Sequence, residues 1–256
     1  MVAVATAFVL AAATVTAVGA PATAQPKPQQ QDQPVRDEAP DIPSARATAA
    51  LHKIRVEALS ERTENTATFV NADGKLTTEI HAGPVRVKRG DAWIPVDLTL
   101  EKRPDGTIAP KAHPRDLVIA APGGKADDVR DLAAVKHGDA EVALQWRGTL
   151  PTPKLDGRKA TFPDVRPGAD LVVEATRTGF EQFLVLKERP KGPVTLSLPL
   201  RTKGATPQRK DDGNTDLVDA SGTVIGSVPK PEMWDARRNE QAGGPLKRVP
   251  VGMEIR

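Results

Sequence analysis

The sequence predicts an all-β protein, an antiparallel β-sandwich-like module that follows a disordered linker rich in proline and glutamine. Three observations lead to this fold class. Apolar residues recur at every second position in several segments, and glycine-containing turns separate some of those segments. The chain also contains 24 proline and 20 glycine residues, so turns divide it into short pieces, as in β-rich folds.

Residues 1–24 are apolar and uncharged, and they end in the small-x-small triplet Ala22-Thr23-Ala24. This pattern is typical of a secretory signal peptide, which predicts that the mature chain is secreted or held at the cell surface. A membrane anchor is the alternative, but threonine, glycine and proline dilute the apolarity that a stable span needs. One departure is the start, which lacks the usual lysine or arginine and suggests trimming or an upstream start.

Residues 25–46 carry five prolines among Gln, Asp and Glu, and few of their side chains are apolar. This composition predicts a disordered or extended linker. Residues 47–62 fit either a short helix, with Leu51, Ile54 and Leu59 on one face, or a strand that leads into the sheet.

From Thr66 onward apolar residues recur at every second position, so each segment has one apolar face and one more polar face. Such faces pair in a sandwich or barrel, and we assign residues 47–235 to a sandwich module of about ten to fourteen short strands. Turns are predicted at Asp73-Gly74, Asp105-Gly106 and Ser221-Gly222. Residues 236–256 are predicted to be a loop and the start of a truncated further segment. The clearest alternating segments are residues 76–81, 94–101, 141–147, 171–176 and 194–201.

Composition excludes several classes of protein. Cysteine is absent, so the chain is not a disulfide scaffold and must be stabilised by packing. Acids and bases nearly cancel, to a formal net charge of +3, which argues against a nucleic-acid partner. Membrane contact is expected only during export.

No catalytic motif is evident: there is no Gly-x-Ser-x-Gly elbow and no phosphate-binding glycine loop. His52, His81, His113 and His137 are isolated, so we expect neither a metal site nor a cofactor, and these histidines should lie exposed or on strand faces.

Four carboxylates fall within eighteen residues: Asp164, Asp170, Glu174 and Glu181. Paired carboxylates hydrolyse glycosides and aspartates bind calcium, but this spacing singles out no pair and no calcium loop. The segment 164–170 instead predicts a turn before a strand, with aspartate side chains capping the backbone. We therefore expect no catalytic residues and no enzyme activity, with a carboxylate-dependent hydrolase as a minor alternative.

Trp93, Trp146 and Trp234 are expected in the core, although exposed tryptophan stacks on sugars in some secreted proteins. The basic clusters Arg86-Val87-Lys88-Arg89 and Arg201-Thr202-Lys203 are expected to be solvated strand edges. Contact with anionic wall polymers is the alternative for both clusters.

Five short stretches are distinctive in their order and spacing. They are Arg62-Thr63-Glu64-Asn65 with residues 68–75, Gly83-Pro84-Val85 with residues 93–97, residues 162–171, Gly179-Phe180 with residues 183–187, and Pro231-Glu232-Met233-Trp234-Asp235. Together they resemble the amino-terminal region of large secreted Rhs/YD-repeat proteins of bacteria. These include wall-associated proteins and polymorphic toxins, which often carry a DNRLRE domain next.

The resemblance implies a β-rich, non-catalytic module that anchors, folds or presents the downstream domains, with toxin activity at the far carboxyl end of the long protein. The expected function is therefore that of a structural module of a cell-surface repeat protein. The expected partners are a cell-wall polymer or downstream domains of the parent protein. A cell-wall or glycan-binding module is the alternative.

Overall fold

The computed structural model describes residues 36–236 and 247–252, so the predicted signal peptide at residues 1–24 lies outside the described residues. The described residues form one α-helix, one short 3₁₀-helix and many strands in six sheets, which confirms the all-β fold class. In this part of the chain, no helix combines the length and apolarity needed to cross a bilayer.

The amino-terminal sheet consists of four strands in chain order, with the α-helix packed against it. Its small core is built from Ala39, Ala45, Ala49, Val56, Ala58 and Val70. The first two strands run parallel and the others antiparallel. The elements are β1 (Glu38–Ala39), α1 (Ile42–His52), β2 (Val56–Ala58), the 3₁₀-helix (Leu59–Glu61), β3 (Thr66–Val70) and β4 (Leu76–Ile80).

Helix α1 begins inside the predicted linker. The Asp41 carboxylate caps it by accepting the Ser44 N–H at 2.8 Å, and Lys53 ends it in the left-handed conformation with a φ of 56°. Residues 36–46 thus differ from the predicted linker, because Ala45 and Ala49 give the helix a small apolar face that is fully buried. The rest of that linker, residues 25–35, lies outside the described residues. Both alternatives for residues 47–62 occur, since the helix is followed by β2.

A six-stranded antiparallel sheet comes next. Its strands are β7 (Asp97–Lys102), β8 (Ile108–Ala112), β9 (Val118–Ile119), β10 (Val129–His137), β11 (Ala140–Arg147) and β16 (Leu200–Lys203). Their spatial order is β16-β11-β10-β9-β8-β7. A four-stranded antiparallel sheet contains β12 (Lys154–Asp156), β13 (Lys159–Arg166), β14 (Ala169–Ala175) and β15 (Phe180–Leu186) in chain order.

These two sheets share one hydrophobic core. The six-stranded sheet contributes Ile108, Leu132 and Trp146, and the four-stranded sheet contributes Phe162 and Leu171, all of them buried in the same cluster. Side chains from two facing sheets therefore interdigitate, as in a β-sandwich.

Three smaller sheets complete the fold. Two are ribbons: β5 (Arg86–Arg89) with β6 (Ala92–Pro95), and β20 (Glu232–Met233) with β21 (Val249–Pro250). The third contains β17 (Thr206–Arg209), β18 (Thr215–Val218) and β19 (Val224–Val228). Strand β21 lies in the predicted segment 236–256, of which only residues 236 and 247–252 are described.

Four hairpins use the same turn. Each turn has five residues. The N–H of the first residue donates to the carbonyl of the fifth, and the N–H of the glycine at position four donates to the carbonyl of the first, as in residues 71–75. The glycines Gly74, Gly106, Gly213 and Gly222 have φ between 81° and 86°, a conformation that other residues adopt only with strain. The three turns predicted from the sequence are among these four, so they are confirmed.

Two alternating segments differ from the prediction. Residues 194–199 form no strand, although Leu196 and Leu198 pack on the sandwich core and the Pro199 carbonyl accepts the Gln145 N–H at 2.7 Å. Strand β4 is exposed on both faces, with Ile80 75% exposed. It lies at the edge of its sheet, where no second layer covers its apolar residues.

Candidate functional site

The four candidate carboxylates lie in two pairs at opposite ends of the outer face of the four-stranded sheet. Leu171 and Val173 of β14 point into the core, so Asp170, Val172 and Glu174 point outward. Glu181 lies on the same face, because it is the register partner of Glu174. The two-residue alternation places Asp170 and Glu174 on one face, but the strand register, which sequence spacing does not show, is needed to place Glu181 there.

At one end of this face, Asp164 and Asp170 share a lysine. The Asp170 carboxylate accepts the Asp164 N–H at 2.7 Å, and Lys187 Nζ lies 2.7 Å from Asp164 and 3.0 Å from Asp170. The Asp164 N–H and Lys187 lower the pKa of Asp170, and the two carboxylates raise the pKa of Lys187. The predicted turn is present before β14, and the side chain that caps it belongs to Asp170.

At the other end, Glu174 lies opposite Glu181. Glu174 is buried and holds Arg158 at 2.6 Å and Lys159 at 3.4 Å, whereas Glu181 is exposed. Two basic groups thus neutralise the buried carboxylate.

The two ends are too far apart to cooperate in chemistry. Glu174 comes four positions after Asp170 on β14, a distance of about 13 Å at the rise of a strand. The carboxyl groups of glycosidases lie about 5–10 Å apart. Between the two ends lies an apolar pair, Val172 and Phe183, which are register partners on β14 and β15.

Trp234 covers part of this apolar centre. Its ring lies 5.8 Å from that of Phe183 at 78°, an edge-to-face contact, and Arg248 lies 5.0 Å from its centroid. Trp234 is 42% exposed, so the core expectation is wrong for it. That expectation is right for Trp146, which is 3% exposed, and Trp93 is half-buried. Trp234 comes directly after a two-residue strand, too short for any alternation to reveal its environment.

The histidines lie far from this face in sequence and do not cluster. His52, His81 and His137 are exposed, as expected. His113 instead is 2% exposed and makes four hydrogen bonds to the backbone. Among the described residues, no group of three His, Cys, Asp or Glu side chains is placed to hold a metal ion.

The arginines of both basic clusters are engaged within the protein. Arg86 donates to the Thr66 carbonyl at 2.9 Å, and Arg89 pairs with Asp116 at 2.8 Å. Arg201 bridges Asp131 and Glu141, which raises its pKa and lowers that of Asp131. Pairing leaves most of these side chains in contact with solvent: Arg89, Lys88 and Lys203 are exposed, and Arg86 and Arg201 are half-buried. Strand β16 lies at the edge of its sheet, so the expectation of a solvated strand edge is right for Arg201-Thr202-Lys203.

A shallow cavity of about 310 Å³ lies against the six-stranded sheet, with Asp116, Asp131 and Glu141 among its lining residues. All three carboxylates already pair with Arg89 or Arg201. The outer face of the four-stranded sheet, with its exposed tryptophan, is thus the better candidate for a binding site.

Comparison with known proteins gives relatives of one kind. They are WapA proteins. The tRNA nuclease WapA of Bacillus subtilis strain 168 and the tRNA(Glu)-specific nuclease WapA of Bacillus subtilis subsp. natto are each 27% identical over 202 residues. The tRNA3(Ser)-specific nuclease WapA of Bacillus spizizenii is 25% identical over 202 residues. Each match covers 73% of this chain and 8% of the relative. No protein-family model matches the chain, and neither does any solved structure.

These relatives confirm the resemblance in its coarse form, because WapA is a wall-associated protein of the Rhs/YD polymorphic-toxin type. They favour a secreted or cell-surface protein. They also correct one expectation: the conclusion that the protein is not an enzyme is contradicted, since all three relatives are named as tRNA nucleases. The chain spans only 8% of each relative's length. A search of this sequence for catalytic motifs therefore could not reveal the nuclease activity for which the relatives are named.

Proposed function

We propose that the chain is a secreted structural and presentation module of a cell-surface protein of the WapA type. The observation that carries the proposal is the similarity to WapA over 202 residues, about three quarters of the chain. The fold supports it, because two sheets on one continuous core form a rigid support for neighbouring domains. In this proposal, a nuclease activity like that named for the relatives belongs to the whole surface protein, which the module helps to present.

Fusion of a secretable reporter enzyme to residue 256, with expression in a Gram-positive host, tests this function. We expect active reporter at the surface or in the medium, and loss of that signal when residues 1–24 are deleted. We also expect less active exported reporter when Phe162→Ala disrupts the sandwich core, since a presenting module must fold. Equal exported activity without residues 47–235 would contradict the proposal, because export and presentation would then not need the module.

A second candidate is binding to cell-wall glycan, favoured by the exposed Trp234 on the outer sheet face. Tryptophan combines a large apolar surface with a polar edge, and the paired charges beside it are fixed hydrogen-bonding groups. Co-sedimentation with purified cell wall tests this candidate. Trp234→Ala should abolish retention, whereas Met233→Ala, which removes a 60% exposed aliphatic neighbour in the chain, should not. Equal retention of both variants, or no retention of the parent chain, would rule it out.

A further inference from the structure

His113 is the buried histidine of the described chain, and its hydrogen bonds define its protonation state. Nε2 lies 2.7 Å from the Thr176 carbonyl oxygen and 3.2 Å from that of Gly179, so Nε2 carries a proton and donates it. Nδ1 accepts the N–H groups of Arg115 at 3.0 Å and Leu117 at 3.4 Å. The ring is therefore neutral, with its free electron pair on Nδ1.

A second proton has no place in this arrangement. A proton on Nδ1 would face two N–H donors, so the ring would lose both bonds while carrying a buried charge. Burial accordingly lowers the pKa of His113, and the nearby Arg115 guanidinium adds to that effect. The carbonyls of Thr176 and Gly179 and the Asp116 carboxylate oppose it.

The turn that His113 holds also anchors the amino-terminal part of the fold. Arg115 pairs with Glu64 at 3.1 Å, just before β3 of the amino-terminal sheet. Arg89 of the β5–β6 ribbon pairs with Asp116 at 2.8 Å and donates to the His113 carbonyl at 3.2 Å. Asp116 has a φ of 46°, in the left-handed region that aspartate adopts more readily than most residues other than glycine. The carbonyls that accept the Nε2 proton belong to the segment 176–179, in which Arg177 is the one charged residue.

We propose that His113 is an acid-sensitive latch: protonation of Nδ1 opens the turn of residues 113–117 and releases the Arg115–Glu64 and Arg89–Asp116 ion pairs. The amino-terminal sheet and the β5–β6 ribbon then loosen from the sandwich, while the sandwich core stays folded. This inference goes beyond the proposed presentation function and does not depend on it.

Hydrogen exchange of the full chain, followed by mass spectrometry between about pH 7.5 and pH 5, tests the latch. After correction for intrinsic rates, opening of residues 113–117 should increase about tenfold per pH unit below 6.5, until His113 itself is protonated. Peptides that contain Glu64 and Arg89 should show the same curve. Peptides from β13 and β14 should keep their protection.

His113→Asn places an amide near Nδ1 without a titrating group, and it should remove the pH dependence. His137→Asn is the matched control, since His137 is exposed, and it should keep the wild-type curve. A wild-type curve in His113→Asn, no pH dependence in the parent chain, or simultaneous loss of protection in β14 would overturn the proposal.

If His113→Asn does not fold, the ionisation of His113 can be followed by NMR in the parent chain and compared with the hydrogen-exchange curve. Ionisation of His113 should then coincide with the exchange transition at residues 113–117. A rise in opening that stops while the His113 ring is still neutral, or that continues unchanged after the ring is ionised, would overturn the latch.

Discussion

The Asp170 carboxylate accepts the backbone N–H of Asp164 at 2.7 Å, and this bond closes the irregular end of the β13–β14 hairpin. The register of the two strands shifts between Phe162 and Arg166, and Asp164 has a φ of 49° within that shift. The register shift leaves the Asp164 N–H without a partner on the neighbouring strand, and the Asp170 carboxylate supplies one. A side chain on one strand therefore fixes the backbone of the other.

Asp170→Ala should lower the melting temperature, because it removes both this cap and the Lys187 pair. Asp164→Gly should leave the melting temperature unchanged or raise it, since glycine relieves the positive φ and loses only an exposed ion pair. Thermal unfolding of the two variants side by side checks the difference. A larger loss in Asp164→Gly would show that the cap is not the stabilising contact.

Gly168→Ala should destabilise the fold by about 1 kcal/mol, because Gly168 has a φ of 72° in the same hairpin. A new Cβ would meet nothing within 4 Å there, so the cost is one of backbone strain alone. Gly179→Ala is the matched control, since Gly179 also has open space around it but lies outside the left-handed region. Urea unfolding of both variants measures the effect, and equal stabilities would contradict this account.

Arg62→Ala should cost about 3 kcal/mol, because it leaves the mostly buried Glu57 carboxylate with only the Arg86 guanidinium, 4.0 Å away. Arg62 donates to both oxygens of Glu57, at 2.7 Å and 2.6 Å, and to Glu38 at 2.5 Å. Lys111→Ala is the control: its pair with Glu101 is exposed and should be worth less than about 0.5 kcal/mol. Comparable losses in the two variants would contradict the assignment.

The same pair predicts a pH dependence. Hydrogen bonds from Arg62 lower the pKa of Glu57 below its ordinary 4.5. The folded state thus binds that proton less readily than the unfolded state, so the contribution is complete above pH 4.5 and is lost as the pH falls below it. Arg62→Ala should therefore reduce the stability difference between neutral and acidic pH. An unchanged difference in urea titrations would exclude Glu57 as the titrating group.

Phe162→Ala should cost about 3–5 kcal/mol, since it opens a cavity in the core that both sheets share. Phe162 is fully buried in the shared cluster. Met233→Ala, which removes a 60% exposed side chain, should change stability by less than about 0.5 kcal/mol. If both variants unfold at the same denaturant concentration, Phe162 does not lie in the core.

Local patterns in the sequence predicted much of the fold. Leu171, Val173 and Ala175 alternate because β14 is covered on one face, and the Gly74, Gly106 and Gly222 turns depend only on backbone conformation. The helix at Ile42 was hidden, because alanines bury little surface and a proline-rich composition resembles a linker. Strand β4 alternates although both of its faces are exposed, so alternation shows the strand and not what covers it.

The candidate site depends on register, which sequence spacing does not reveal. The pairing of Glu174 with Glu181 results from the β14–β15 register, and Trp234 reaches Phe183 from a ribbon about fifty residues further along the chain. His113 looked isolated because its partners Thr176 and Gly179 lie more than sixty residues away. Contacts of this kind come from the tertiary fold and leave no periodic signal.

Native-state hydrogen exchange against increasing denaturant tests the shared sandwich core most directly. Because β10 and β14 lie inside their respective sheets and contribute to one core, their amides should lose protection at the same denaturant concentration. Loss of protection in β10 and β14 at clearly different concentrations would show two independent cores and would contradict the sandwich.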